Sequence, residues 1–153
     1  MTVLPDKNLS VYEQSKVVNT YVPQSRLAKA EAILFDQHAR DYQGKRVLDI
    51  GIGAGRTTPT LANLAEGYLG IDYSAAMVDV CRKKFGHLKN ARFLKDDARV
   101  LESCDDASFD SAVFSFNGID TVDMEGRKAV FRAVKRVLKP NGVFVFSFHN
   151  AGP

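Results

Sequence analysis

The sequence predicts an α/β fold: a mostly parallel sheet with helices on both faces. Three observations carry this. From Arg46 onward, short apolar runs alternate with amphipathic stretches, the order expected of strand–helix–strand units. The last of these runs is nearly continuously apolar, as strands covered on both faces are. The first, Val47–Ile50, stops abruptly in three alternating glycines, Gly51, Gly53 and Gly55. Glycines at that junction permit backbone angles other residues avoid and let a ligand approach the main chain.

Taken in order, Met1–Ser10 is polar and reads as loose. Val11, Val17, Val18 and Val22 can line a short helix stopped by Pro23. A clearer helix is predicted from Gln24 or Ser25 to about Tyr42, with Leu27, Ala30, Leu34 and His38 along one face and Gly44 behind it. Residues 1–43 are thus an N-terminal helical segment, or a lid, before a core spanning 44–153 in a single domain. In the core the first strand is Val47–Ile50. Thr58–Pro59 marks a helix start, threonine as N-cap and proline at the first helical position, running to about Ala65 and closed by Gly67. The second strand is Tyr68–Asp72, and Ser74 caps a helix over Ala75–Phe85. A short third strand, Ala91–Lys95, leads to Asp96-Asp97-Ala98, and the fourth is Phe109–Phe116. An amphipathic helix follows from about Glu125 to Leu138; Lys139-Pro140-Asn141-Gly142 breaks it and turns into a fifth strand, Val143–Phe148. The chain stops five residues later, so nothing in it pairs with that strand's far edge, and bare apolar edges are normally covered. The expectation is a fragment of a longer protein that lacks strands beyond the fifth, or an edge covered by another chain as in a homodimer, with a naturally minimal five-stranded domain as the alternative.

Composition narrows the class. A chain of 153 residues, 45% hydrophobic and 25% charged, suits one globular domain. A net charge of +3 without a basic block gives no indication of nucleic-acid binding. Cys81 and Cys104 lack Cys-x-x-Cys spacing and read as free thiols of a reducing compartment, so a cytoplasmic location is expected. The N-terminus has no apolar signal core, and no run is long enough to span a membrane. His38, His87 and His149 are scattered and read as surface or core residues, so no metal site is expected.

Asp72 ends the second strand seventeen residues after Gly55. In a doubly wound sheet this places a carboxylate beside the glycine loop, where it can accept both hydroxyls of a ribose.

In order and spacing, LDIGIGAGRTT, LGIDYS, KDDA, FDSAVFSFN and RVLKPNGVFVFS resemble the successive motifs of class I S-adenosylmethionine-dependent methyltransferases. The resemblance covers Lys45 to Phe148, about two thirds of the chain, and shows Gly-x-Gly-x-Gly where dinucleotide-binding proteins have Gly-x-Gly-x-x-Gly. It implies a Rossmann-like three-layer α/β/α methyltransferase fold, S-adenosyl-L-methionine as cofactor (product S-adenosyl-L-homocysteine) and a small-molecule acceptor. Asp49, Gly51, Gly53 and Gly55, followed by Arg56, would surround the methionine moiety. Asp72 would hold the ribose, and Tyr73 and Met77 would meet the adenine. Asp97 would accept from the adenine amino group beside Ala98, with Asp96 as the alternative by a one-residue shift. Ser115, Phe116 and Asn117 would line the cavity near the sulfonium. Tyr12 and Tyr21 can form a lid or simply pack.

A sulfonium already activates its methyl group, so alignment and exclusion of water can supply most of the acceleration, and only a poor nucleophile needs a base. No catalytic residue is therefore singled out. The strand-four exit Ser-Phe-Asn-Gly departs from the Asn-Pro-Pro-aromatic pattern of enzymes that methylate amino groups on bases and glutamines. Two further readings are a methyltransferase-like module that binds cofactor without turnover, and a nicotinamide-dependent oxidoreductase. The second fits Asp72 but not the glycine spacing, and the chain lacks a Tyr-x-x-x-Lys pair.

Overall fold

The computed structural model describes residues 26–149. The expected helix over Val11–Val22, with Tyr12 and Tyr21, lies outside them, as do Gln24 and Ser25.

Five strands form one sheet in the order β3-β2-β1-β4-β5, every pairing parallel. They are β1 (Arg46–Ile50), β2 (Gly67–Asp72), β3 (Ala91–Lys95), β4 (Phe109–Phe114) and β5 (Leu138–Phe146). The helices are α1 (Lys29–Gln37), α2 (Ala39–Tyr42), α3 (Thr58–Leu64), α4 (Ala75–Phe85) and α5 (Met124–Val137), with a 3₁₀ turn at Gly118–Thr121. β1 pairs with β2 on one side and β4 on the other, so the strand order reverses at β1/β4, where an open α/β sheet forms a crevice.

Alternation along the strands splits the interior into two apolar layers. Val47 of β1 faces one, with Phe35, Tyr42, Leu61, Val78, Cys81 and Phe85 from α1–α4. Leu48 and Ile50 face the other, with Leu101, Ile119, Val130, Val134 and Val137. This is the three-layer α/β/α arrangement the sequence predicts.

Several boundaries differ from the sequence expectation. The helix expected through Tyr42 is two pieces, because His38 leaves helical geometry at φ −101°, ψ 15°. The break delivers Tyr42 to the core, fully buried edge-on to Phe35 with ring centroids 5.9 Å apart. α3 begins at Thr58, so the N-cap position falls to Thr57, not Thr58. The Thr57 side chain makes no cap bond; its hydroxyl lies at Asp49 and donates to it. β4 ends at Phe114, two residues early, because Phe116 and Asn117 both adopt left-handed backbone (φ 53° and 59°). β5 starts at Leu138, earlier than the expected Val143: Phe109 pairs with Leu138, then Ser111 with Val143. The Lys139–Gly142 stretch, with Asn141 at φ 65°, is therefore a bulge inside the strand, not a separate turn before it. Ser74 caps α4 as expected, accepting from the Met77 N–H.

Among the described residues β5 pairs only with β4. An aromatic row, Phe131, Phe144, Phe146 and Phe148, lies along it, with Phe148 exposed.

Candidate functional site

A cleft opens above the carboxyl ends of β1, β2 and β4. Of the residues expected at the site, all but Gly55 and Asn117 line it: Asp49, Gly51, Gly53, Arg56, Asp72, Tyr73, Met77, Asp97, Ala98, Ser115 and Phe116.

The floor is built from Asp49. It is the one ionisable side chain of β1 facing the layer under α3, and it is 1% exposed. Thr57 donates to its carboxylate at 2.5 Å and Tyr68 at 2.7 Å, while Thr58 and the Tyr68 hydroxyl share a bond of 2.9 Å. Burial pushes the Asp49 carboxyl up to about 6, although the two hydroxyl donors pull the other way. Burial and the adjacent Asp49 hold the Tyr68 phenol well above its ordinary range. Asp49 thus ties the start of α3 to β2 from below the glycine loop.

The three glycines have separate duties, all at positive φ. At Gly51 a β-carbon would sit 2.8 Å from the Phe114 ring. At Gly55 it would sit 2.3 Å from the Phe85 ring and 3.0 Å from the Cys81 sulfur. Gly55 therefore seats the loop on α4 and does not border the cleft. At Gly53 there is nothing within 4 Å, so this α-carbon faces open space. The Cys81 thiol donates to the Gly53 carbonyl at 3.2 Å, and burial raises it to about 12, which makes it a structural group rather than a nucleophile.

Asp72 is 6% exposed and borders the cleft. Its two oxygens accept from the Gly53 and Ser74 N–H groups, each at 2.9 Å. Burial raises the carboxyl, and backbone donors from Ser74, Gly53 and Tyr73 moderate the shift.

Asp96 and Asp97 both line the cleft and differ in their partners. Asp96 organises its own loop, accepting from the N–H groups of Asp97 (2.7 Å), Glu102 (3.2 Å) and Ser103 (2.8 Å). Asp97 pairs with Arg99 at 2.6 Å. Partial burial pushes its carboxyl up, but the Arg99 side-chain and backbone donors outweigh that and leave it below the usual range.

The mouth holds a residue the sequence did not flag. Glu31 of α1 is 5% exposed; it accepts from Arg56, from the Ser115 hydroxyl and, at 2.8 Å, from the Ala28 N–H. The Arg56 guanidinium also lies over the Phe116 ring, 4.2 Å from its centroid. Glu31 thereby clasps α1 to the loops after β1 and β4. Asn117 is not among the lining residues: its N–H donates to Ser147 at 2.8 Å and its amide meets the His149 ring at 3.1 Å. Thr57 and Tyr68 were also invisible beforehand; the first read as part of a helix start, the second as an ordinary strand aromatic.

Residues 47–142 match the family model described as "Methyltransferase domain". The chain belongs to that family. The match and the fold together make it a class I S-adenosylmethionine-dependent methyltransferase domain. It is 38% identical over 149 residues to the uncharacterized methyltransferase YcgJ of Bacillus subtilis (strain 168), covering 95% of this chain and 53% of that protein. The solved YcgJ structure superposes with a TM-score of 0.70 at 29% identity, covering 81% of this chain and 52% of the other. A demethylmenaquinone methyltransferase of Clavibacter sepedonicus is 34% identical over 110 residues, covering 72% of this chain and 43% of that enzyme. The structure of DhpI in complex with SAH has a TM-score of 0.70 at 27% identity, covering 90% of this chain and 66% of the other. The chain of this methyltransferase domain spans about half, or less, of the length of these curated relatives. Among its described residues, no helix is long and apolar enough to cross a membrane, and no cluster of His, Cys, Asp and Glu is arranged to hold a metal ion.

Proposed function

We propose that this chain binds S-adenosyl-L-methionine in the cleft and transfers its methyl group to a small-molecule acceptor, in the cytoplasm. The observation that carries the reading is the Asp72 carboxylate, buried at the cleft wall and held by backbone donors. A carboxylate has about four lone-pair sites; with backbone donors from Gly53, Ser74 and Tyr73, acceptor capacity is left for a ribose hydroxyl. The open space beside Gly53 gives room for a ligand at the main chain. This donor and acceptor set fits an adenosine-bearing amino-acid cofactor. Gly51, Gly53 and Arg56 would surround its methionine end, with Asp49 bracing them from beneath. Tyr73, Met77, Asp97 and Ala98 would hold the adenine, with Asp96, which also lines the cleft, as the alternative to Asp97. Ser115 and Phe116 would border the reacting end.

When bound, the cofactor supplies a methyl group already activated by the sulfonium. The chain's own work is alignment and exclusion of water. The Glu31 clasp serves both, fixing Arg56 over Phe116 and drawing α1 toward the mouth, which supports a bordering role for residues 1–43.

Calorimetric titration with S-adenosylhomocysteine, S-adenosylmethionine and NAD tests the reading. The first two should bind and NAD should not; preferential NAD binding would sink it in favour of the nicotinamide alternative. Asp72→Ala should weaken S-adenosylhomocysteine binding by about 1–3 kcal/mol, roughly 5- to 150-fold, the cost of leaving buried hydroxyls without a partner. Unchanged affinity would remove Asp72 from the site.

A further inference from the structure

Two segments distant in the sequence meet beside the mouth of the cleft: the exit of β4 with the 3₁₀ turn that follows it, and the exit of β5. The Asp120 carboxylate accepts from the His149 N–H at 2.8 Å and meets its Nδ1 at 2.9 Å. On the other side of the ring, Nε2 meets the Asn117 side-chain amide at 3.1 Å. A carboxylate on one side and an amide N–H on the other place the imidazole proton on Nδ1 and leave Nε2 as a base. Arg127 is the other charged group at this cluster, 3.3 Å from the second oxygen of Asp120.

The place matters as much as the pair. Phe116 and Gly118, on either side of Asn117, line the cleft, as do Thr121 and Val122 just past Asp120. Phe116 and Asn117 are both held in left-handed backbone, which is unfavourable for a residue with a side chain. Ser147 anchors that conformation through the Asn117 N–H, and its own N–H reaches the Phe114 carbonyl at 3.2 Å. The strained turn thus holds the Asn117 amide over Nε2 at the rim. Two exposed rings adjoin the cluster along the chain, Phe116 beside Asn117 with Arg56 over one face and Phe148 beside His149, and offer apolar surface to an aromatic acceptor.

We propose that His149 is a catalytic general base for methyl transfer to a phenolic hydroxyl, with Asp120 and Asn117 as its positioning residues. This rests on the reading of the cleft as the S-adenosylmethionine site. The acceptor displaces the Asn117 amide from Nε2, and its O–H proton passes to that nitrogen. The oxygen forms a bond to the methyl carbon as the carbon–sulfur bond breaks; the electron pair stays on sulfur, which goes from sulfonium to neutral thioether. The imidazolium then returns its proton to water. Asp120 holds the ring in the required tautomer and stabilises the imidazolium.

The test has a part independent of turnover. Long-range proton–nitrogen correlation on the intact chain carrying nitrogen-labelled histidine should show neutral His149 protonated at Nδ1, and Asp120→Asn should disturb that preference. A neutral ring protonated at Nε2 overturns the proposal. His149→Gln should bind S-adenosylhomocysteine within about twofold of the unaltered chain; loss of that binding would move His149 into the cofactor site and overturn its role as base. With S-adenosylmethionine and phenol, kcat should fall about 10²–10⁴-fold with KM nearly unchanged. The loss should shrink with 4-nitrophenol, which ionises without help, and added imidazole should partly restore His149→Gly. Equal losses on both phenols, or no transfer to either by a chain that binds S-adenosylhomocysteine, overturn the proposal and leave the cofactor reading standing. Failure of the unaltered chain to bind S-adenosylhomocysteine overturns the cofactor reading itself.

Discussion

Asp49→Asn should change how the protein's stability depends on pH. Asp49 is buried with two hydroxyl donors, and its carboxyl stands at about 6 against an ordinary value of 3.8. Between those values the native chain holds a proton that the unfolded chain has lost. The stability associated with the protonated form is therefore fully present below about 3.8 and disappears as pH rises through about 6. The difference of about two pH units corresponds to roughly 3 kcal/mol of cost for keeping the ionised group buried. An asparagine has no such titration. The stability difference between the variant and the unaltered chain should then grow by roughly 3 kcal/mol in the variant's favour between about pH 4 and pH 8. For a chain of this size that is about 6–12 °C in Tm. Denaturant unfolding at a series of pH values measures it directly. Asp72, also raised, and Asp97, lowered, titrate in both proteins, so the difference isolates Asp49. Parallel stability curves across that range would refute the assignment of Asp49 as a buried, ionised brace.

Other substitutions separate the roles within the cleft. Gly53→Ala meets no atom within 4 Å, so it should cost about 1–2 kcal/mol of stability from its positive φ while weakening S-adenosylhomocysteine binding measured by calorimetry. Gly55→Ala drives a β-carbon into the Phe85 ring and should show the reverse, about 2–5 kcal/mol of lost stability with less effect on the affinity of the folded protein. Glu31→Ala leaves the largely buried Arg56 guanidinium and the Ser115 hydroxyl without their acceptor; a loss of roughly 3 kcal/mol is expected by denaturant unfolding, and Glu31→Gln should recover part of it.

The order of the elements was legible because its signals are local. Apolar runs, Ser74 as a cap, glycines at positive φ and a carboxylate ending the second strand all act within a few residues of themselves. The glycine loop and Asp72 could be located from their neighbours, and so could the boundaries of β3 and α4. Local signals failed where two of them competed. Thr57 reads as the approach to a helix, but a buried Asp49 eight positions away claims its hydroxyl. Lys139–Gly142 reads as a turn, but β4 pairs on both sides of it and makes it a bulge.

What tertiary structure alone decided are the contacts that join distant segments. Glu31 and Ser115 are 84 positions apart, and His149 and Asp120 are 29 apart. Nothing in the periodicity around either pair signals that they meet. The sequence by itself determined that an α/β sheet would present a glycine loop and an acidic residue to a ligand, because backbone conformation and strand alternation are set within a few residues. Only the fold decided that Asp96 bonds Glu102 and Ser103 while Asp97 bonds Arg99, and that His149, which looks solitary in the chain, faces Asp120 and Asn117. Those outcomes depend on which side chains the sheet order brings within hydrogen-bonding distance, and that order is a property of the whole packed domain.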